Sequence, residues 1–241
     1  MLGVQLYSVR DQLRADRDGT LRRIADLGFD AVEGFDPTAD PAGFRALADT
    51  YGLTVWSTHA PLLGDTDAIL DAAVALGTDT VVVPWLDPDH FADRESLQAT
   101  ADRLNAAAAR AADRGIRVGY HNHWFEPSQQ VDGRPALEVL AGLLADEVFL
   151  EVDVYWAQVA GADVPALLTR LADRVAYLHV KDGPATEPEA AMTAVGAGTL
   201  DIPAILGAAP RARRIVELDR CDTDMFDALA GSVSYLREVA R

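Results

Sequence analysis

A single-domain α/β fold, the (β/α)8 barrel, is what the sequence predicts across residues 1–241, and three observations carry that prediction. Short β-rich runs alternate with helical segments about eight times, at the period of roughly 25 to 35 residues that βα units require. Each helix is entered at an Asp, Ser or Thr cap and left through Gly or a charged turn. After the first strand stands YSVRDQL, without the glycines a doubly wound sheet places there to hold phosphate, and no Pro- or Ser-rich linker marks a second domain.

The first strand is read over Gly3–Tyr7. Asp18 and Thr20 open the first helix, DGTLRRIADLGF, whose Leu21, Ile24 and Leu27 fall at helical spacing before Gly28 closes it. Ala31–Glu33 forms strand two, a helix from Pro41 stops at Gly52, and Leu53–Ser57 forms strand three. Asp65–Leu76 is a helix closed by Gly77, ahead of the buried-strand run Thr80–Pro84. The alanines of Ala92–Asp113, good helix formers, build the longest helix, and Ile116–His121 is strand five. Pro135–Ala145 is helical and Val148–Val152 is strand six; helix Asp163–Leu171 and strand Val175–Val180 follow. Asp201–Ala209 is a helix, Arg214–Leu218 is strand eight, and Thr223–Val239 closes the chain as a helix.

With 49% hydrophobic residues the chain can fill a complete core. A formal charge of −17 with no basic run argues against a nucleic-acid partner, because phosphate backbones are bound by clustered Lys and Arg. Cys221 is the only cysteine, which excludes an internal disulfide or a Cys-rich zinc site and fits a reducing compartment. The opening MLGVQLYSVRDQL lacks the basic region, long apolar core and cleavage site of a signal peptide, and no run reaches the ~18 apolar residues of a membrane span. A soluble, cytoplasmic protein without a membrane partner is expected; association into a homo-oligomer stays open.

In such a barrel function collects at the C-terminal ends of the strands. Those ends carry Glu33, His59, His121, Asn122, His123 with Glu126 beyond, Glu151, Asp153, His179, Lys181, Asp182, Glu217 and Asp219, and of the five histidines only His90 lies elsewhere. Period-two alternation sets Glu151 with Asp153, His179 with Lys181, Glu217 with Asp219, and His121 with His123 on shared faces. A carboxylate from strand six, an imidazole from strand seven, a carboxylate from strand eight and a group from strand five would enclose a divalent cation. That mixed O/N set suits Mn²⁺, Mg²⁺, Co²⁺ or Zn²⁺ and leaves room for substrate oxygens. Asp153 has a structural alternative as a helix cap. Glu217, inside IVEL, is hard to bury without a cation or proton. Trp124 and Trp156 read as pocket walls or core, His59 as a substrate-binding or structural group, and Lys181 as a point charge for a substrate oxygen or enolate. The glycines of VGAGTLD shape a loop over the site, and Asp201 caps the helix after it.

The series YHNHWFE, EVDVYWAQVAGAD, RVAYLHVKDG, VGAGTLDIPAIL and IVELD, in that order and separation and with the opening GVQLYSVRDQL, resembles the xylose isomerase-like TIM-barrel family of sugar phosphate isomerases and epimerases. The likeness covers most of the chain and is specific for the superfamily, not for a substrate. It implies a metal held by Glu, Asp, His and Glu from strands five to eight, which carries over to Asp153, His179 and Glu217, with His121 where many relatives have Glu. In the epimerases that Glu is one of two acid/base carboxylates. The resemblance implies Glu217 as metal ligand, and on the residues present Glu217 is also the expected acid/base, with Glu126, His123 or Lys181 as the complementary proton handler. The implied activity is isomerisation or epimerisation of a keto sugar or related polyol through an enediolate. The replacement at position 121 keeps a lyase or dehydratase acting on a 3-keto sugar or inosose as the second reading. No Arg/Lys cluster offers to hold a phosphate. A DNA-repair endonuclease on this fold would need more histidines and a basic surface, and a non-catalytic sugar-binding relative would lack the ligands that this chain retains.

Overall fold

Parallel pairing of short, β-branched runs organises the molecule, because each strand must hand the chain to a helix before the next can line up beside it. The structure, a computed structural model, describes residues 1–239. Its strands are β1 (Gly3–Gln5), β2 (Ala31–Phe35), β3 (Thr54–His59), β4 (Thr80–Val83), β5 (Arg117–His121), β6 (Val148–Asp153), β7 (Val175–Val180) and β8 (Arg213–Val216). They pair in sequence order and close where β1 meets β8, so the barrel has no free edge. Six of the helices between them begin where the chain supplies an acceptor. Asp16, Asp40, Asp65, Asp93, Asp163 and Asp201 each take the amide three residues on, a cap worth about 1 kcal/mol apiece.

Alternate side chains fill the barrel. Its floor is apolar, built from Ala31, Trp56, Val82, Phe149, Tyr177 and Ile215. Phe149 lies across Gly119, where a Cβ would stand 2.5 Å from its ring.

Several boundaries differ from those predicted. β1 stops at Gln5, whose side chain accepts from the Tyr7 amide and starts a tight turn over Leu6–Val9, followed by an unexpected short helix at Arg10–Ala15. The next helix starts at Arg17, because the capping residue is Asp16 and not Asp18. β2, β3 and β6 run past their predicted ends to Phe35, His59 and Asp153; at the end of β3, His59 finds Glu151 inside the mouth, and at the end of β6, Asp153 goes straight on to cap a helix. β8 ends early, which leaves Glu217 just beyond it. A small hairpin, Gln130–Val131 with Arg134–Pro135, turns on Asp132 and Gly133, at φ 53° and 74°. No helix among the described residues is long and apolar enough to cross a membrane.

Candidate active site

Above the apolar floor, strand alternation turns a second set of side chains inward, and in this chain they are polar. Glu33, Ser57, His59, His121, Glu151 and His179 are all buried. His59 Nε2 lies 2.6 Å from Glu151 Oε2, and His179 Nε2 lies 2.6 Å from Glu33 Oε1. Gln5 and Ser57 donate to the two oxygens of Glu33 at 2.9 and 2.5 Å, and His121 Nδ1 is 3.1 Å from Glu151 Oε2. Nearer the mouth stand Asp153, Lys181 and Glu217, with Asp219 beside them. Lys181 Nζ is 2.9 Å from Asp153 Oδ2 and 2.6 Å from both Glu217 Oε2 and Asp219 Oδ2. His179 joins the two levels, because its Nδ1 is 2.9 Å from Glu217 Oε2.

This packing sets the charges. Burial opposes charge on His179, but Glu151, Glu217 and Glu33 outweigh it and raise its pKa well above the ordinary value. Burial likewise opposes the Lys181 ammonium, and Asp153, Asp219 and Glu217 more than compensate. Glu217 would be pushed up by burial, yet Lys181 and His179 hold it well below the usual carboxylate range. Asp153 is different: burial lifts it to about 6, and Lys181 only partly pulls it back. His121 is driven well down by burial and by the neighbouring His179 and His59, so it presents a neutral imidazole. Burial, and then Lys181, bring His123 to about 3.

His121, Asp153, His179 and Glu217 each offer one donor atom, and these atoms all lie within 4.8 Å of one another. A second set, His59, His121, Glu151 and His179, converges as closely on the inner side. The first set fits a divalent cation. It mixes imidazole nitrogen with carboxylate oxygen, and Asp153 Oδ2 is buried without a hydrogen-bond partner even though an ammonium stands 2.9 Å away.

The description of the xylose isomerase-like TIM barrel matches residues 21–214. The chain belongs to that family. A sugar phosphate isomerase/epimerase from Parabacteroides distasonis superimposes with a TM-score of 0.86 over 98% of this chain and 93% of its own, at 23% identity, a likeness of fold. A probable 3-DHS dehydratase from Bacillus anthracis shares the fold at a TM-score of 0.75 and 13% identity, over 98% of each chain. Inosose dehydratase of Clostridium beijerinckii is 26% identical over 100 residues, 41% of this chain but only 33% of that protein, so the match spans about a third of its length.

In this xylose isomerase-like barrel, His59, His121, His123, Lys181, Glu217 and Asp219 line a cleft of about 1110 Å³ at the mouth. A smaller depression of about 760 Å³ near Asp79 and Arg213 lies at the opposite end of the strands, away from these groups. Glu126 does not line the cleft. Tyr120 donates to its Oε1 at 2.6 Å and the His123 amide to its Oε2 at 2.9 Å, so it fixes the loop that carries His123. Trp156 is buried, its ring 5.0 Å from Lys181 Nζ, and Trp124 packs edge-on against it at 5.3 Å.

The tryptophan that does line the cleft, together with Tyr7 and Phe35, is Trp85, 43% exposed and edge-on to His123 at 4.5 Å. Sequence reasoning missed it, although a tryptophan directly after the strand run TVVVP was the available signal. Asp153 also caps a short helix, its Oδ1 accepting from the Trp156 amide at 2.9 Å while Oδ2 points to the cluster. Asn122 holds it in place, Oδ1 accepting from the Asp153 amide at 3.1 Å. Asp182 organises the loop over the site, taking the amides of Gly183, Gly196, Gly198 and Leu200.

Proposed function

We propose that the chain is a divalent-metal-dependent enzyme of the sugar isomerase/epimerase class, removing the proton next to the carbonyl of a keto sugar or related polyol through an enediolate. The observation that carries this reading is the convergence of His121, Asp153, His179 and Glu217 beside an open cleft. These four would hold the ion, which when bound polarises a carbonyl and acidifies the neighbouring C–H. The other roles fall to the chain's own side chains. Glu217 is the carboxylate at the cleft that can take the proton, and Lys181 sets a positive charge beside the oxygen on which negative charge develops. His123, neutral through burial, can accept or donate a hydrogen bond to a substrate hydroxyl. Trp85 offers an aromatic face to the apolar side of a sugar ring. Glu126 acts as a positioning residue behind His123. Four carboxylates, Asp36, Asp65, Glu217 and Asp219, line the cleft against two cations, Arg103 and Lys181, a balance that favours an unphosphorylated sugar as the partner.

A dehydratase or lyase is the second reading, and His121 supports it. With imidazole in place of a strand-five carboxylate, Glu217 has no matching carboxylate on the other side of the substrate. In elimination one group next to the carbonyl can take the proton from carbon and hand it to the departing hydroxyl, which leaves as water, whereas transfer between faces needs two groups.

Metal analysis of protein purified without chelator should find roughly one ion per chain, lost in Asp153→Ala. Equal metal in both proteins would remove the mechanism. Incubation with a panel of keto sugars in D₂O then separates the two readings. Deuterium beside the carbonyl of an unchanged or isomeric sugar supports the isomerase or epimerase, and loss of water supports the dehydratase. No exchange and no product across the panel would leave a binding protein.

A further inference from the structure

Lys181 is the only lysine in the chain, against 20 arginines, and it is 1% exposed. Its ammonium touches three carboxylates, but only Asp219 receives it in hydrogen-bond alignment, at 2.6 Å. Asp153 Oδ2, at 2.9 Å, has no hydrogen-bond partner, and Glu217 Oε2, at 2.6 Å, is shared with His179 Nδ1 at 2.9 Å. Two of the three carboxylates are therefore groups that a divalent ion needs, and the third, to which the lysine is properly bonded, stands outside that set. An ammonium and a divalent cation compete for the same oxygens, because like charges repel strongly at contact distance in a buried site.

We propose that Lys181 is a tethered stand-in cation: it neutralises Asp153 and Glu217 until a divalent ion arrives, and is then exchanged off them while Asp219 keeps hold of it. The inference rests on the metal reading above. Asp219 is the tether, and the Trp156 ring, 5.0 Å from Nζ, gives the displaced ammonium a second favourable surface. Exchange does two things at once. It avoids leaving buried carboxylates uncompensated before metal uptake, and it releases the ammonium toward the cleft, which Lys181 already lines, where a substrate oxygen can take it.

Because there is one lysine, labelling with ¹⁵N-lysine gives a single side-chain signal, which can be followed while Zn²⁺ is added to the whole protein. That signal is expected to shift and saturate with metal uptake. Affinity for Zn²⁺, measured by chelator competition, is expected to tighten about tenfold or more in Lys181→Met, which removes the competing charge. Asp219→Asn should weaken Zn²⁺ binding in the wild-type background and leave it unchanged in the Lys181→Met background, since the tether acts only through the lysine; a general charge effect of Asp219 would weaken both. If Lys181→Met does not fold, the wild-type titration decides alone. Zn²⁺ uptake with an unmoved lysine signal, or with equal affinity in Lys181→Met, overturns the exchange and spares the metal reading. No Zn²⁺ uptake by either protein overturns both.

Discussion

Asp153 divides one carboxylate: Oδ1 caps a helix, while Oδ2 is buried without a hydrogen-bond partner. Of the two readings of that residue in the sequence, the cap is seen directly, and it leaves Oδ2 free for the ligand role proposed above. Since burial lifts it to about 6 and His179 is held protonated by the acids around it, metal uptake must expel protons. About one proton per ion should leave above pH 7, from His179, rising toward two below pH 6 as Asp153 joins. Calorimetry in buffers of different ionisation enthalpy measures that number, and a pH-independent value of zero would contradict it. Glu126 gives a test of sign. Burial raises its carboxyl from 4.5 to about 7, so the native state binds the proton more tightly than the unfolded chain. The contribution of Glu126 to stability should then fall as pH rises from about 4.5 to 7, by about 3 kcal/mol. Glu126→Gln cannot titrate, so its urea midpoint relative to wild type should improve from pH 5 to pH 8; a constant difference would refute the assignment. The misplacement of Glu126 has a simple cause. Alternation along a strand fixes which way His121 points, but beyond the strand end no period relates residue number to direction.

The elements were legible wherever local chemistry decides them. Aspartates such as Asp40, Asp65, Asp163 and Asp201, placed just ahead of a periodic apolar run, mark helix starts, and the short β-branched runs of β4 and β7 read as buried strands. Strand ends were not legible. Glu33, His59 and Asp153 look like the polar close of a strand, and only the inward network of the assembled barrel lets the pairing continue through them. The loop between β7 and the helix Ile202–Ala208 depends on one residue in the same way. Asp182, fully buried, accepts from four backbone amides there. Asp182→Ala should cost about 3 kcal/mol and expose the Gly196 and Gly198 amides to hydrogen exchange, with faster proteolysis in that loop. Unchanged protection at both glycines would mean that the loop is held by something else.

At the scale of the whole molecule, eight alternations predicted a closed barrel because a parallel sheet of that length with helices on one side closes on itself. What the pattern could not supply is how the interior is divided, since apolar floor and polar upper level come from the same strands and differ only in register. Gly119 marks the boundary. Gly119→Val would drive a side chain into the Phe149 ring, and is expected to lower stability by about 1–3 kcal/mol while leaving metal stoichiometry intact. Loss of metal binding in a folded Gly119→Val protein would mean that the two levels are mechanically coupled. The same aromatic floor has a bearing on traffic. With Trp56, Phe149 and Tyr177 sealing one end, the barrel is a blind well, and any small molecule that enters at its top has to back out through the same doorway.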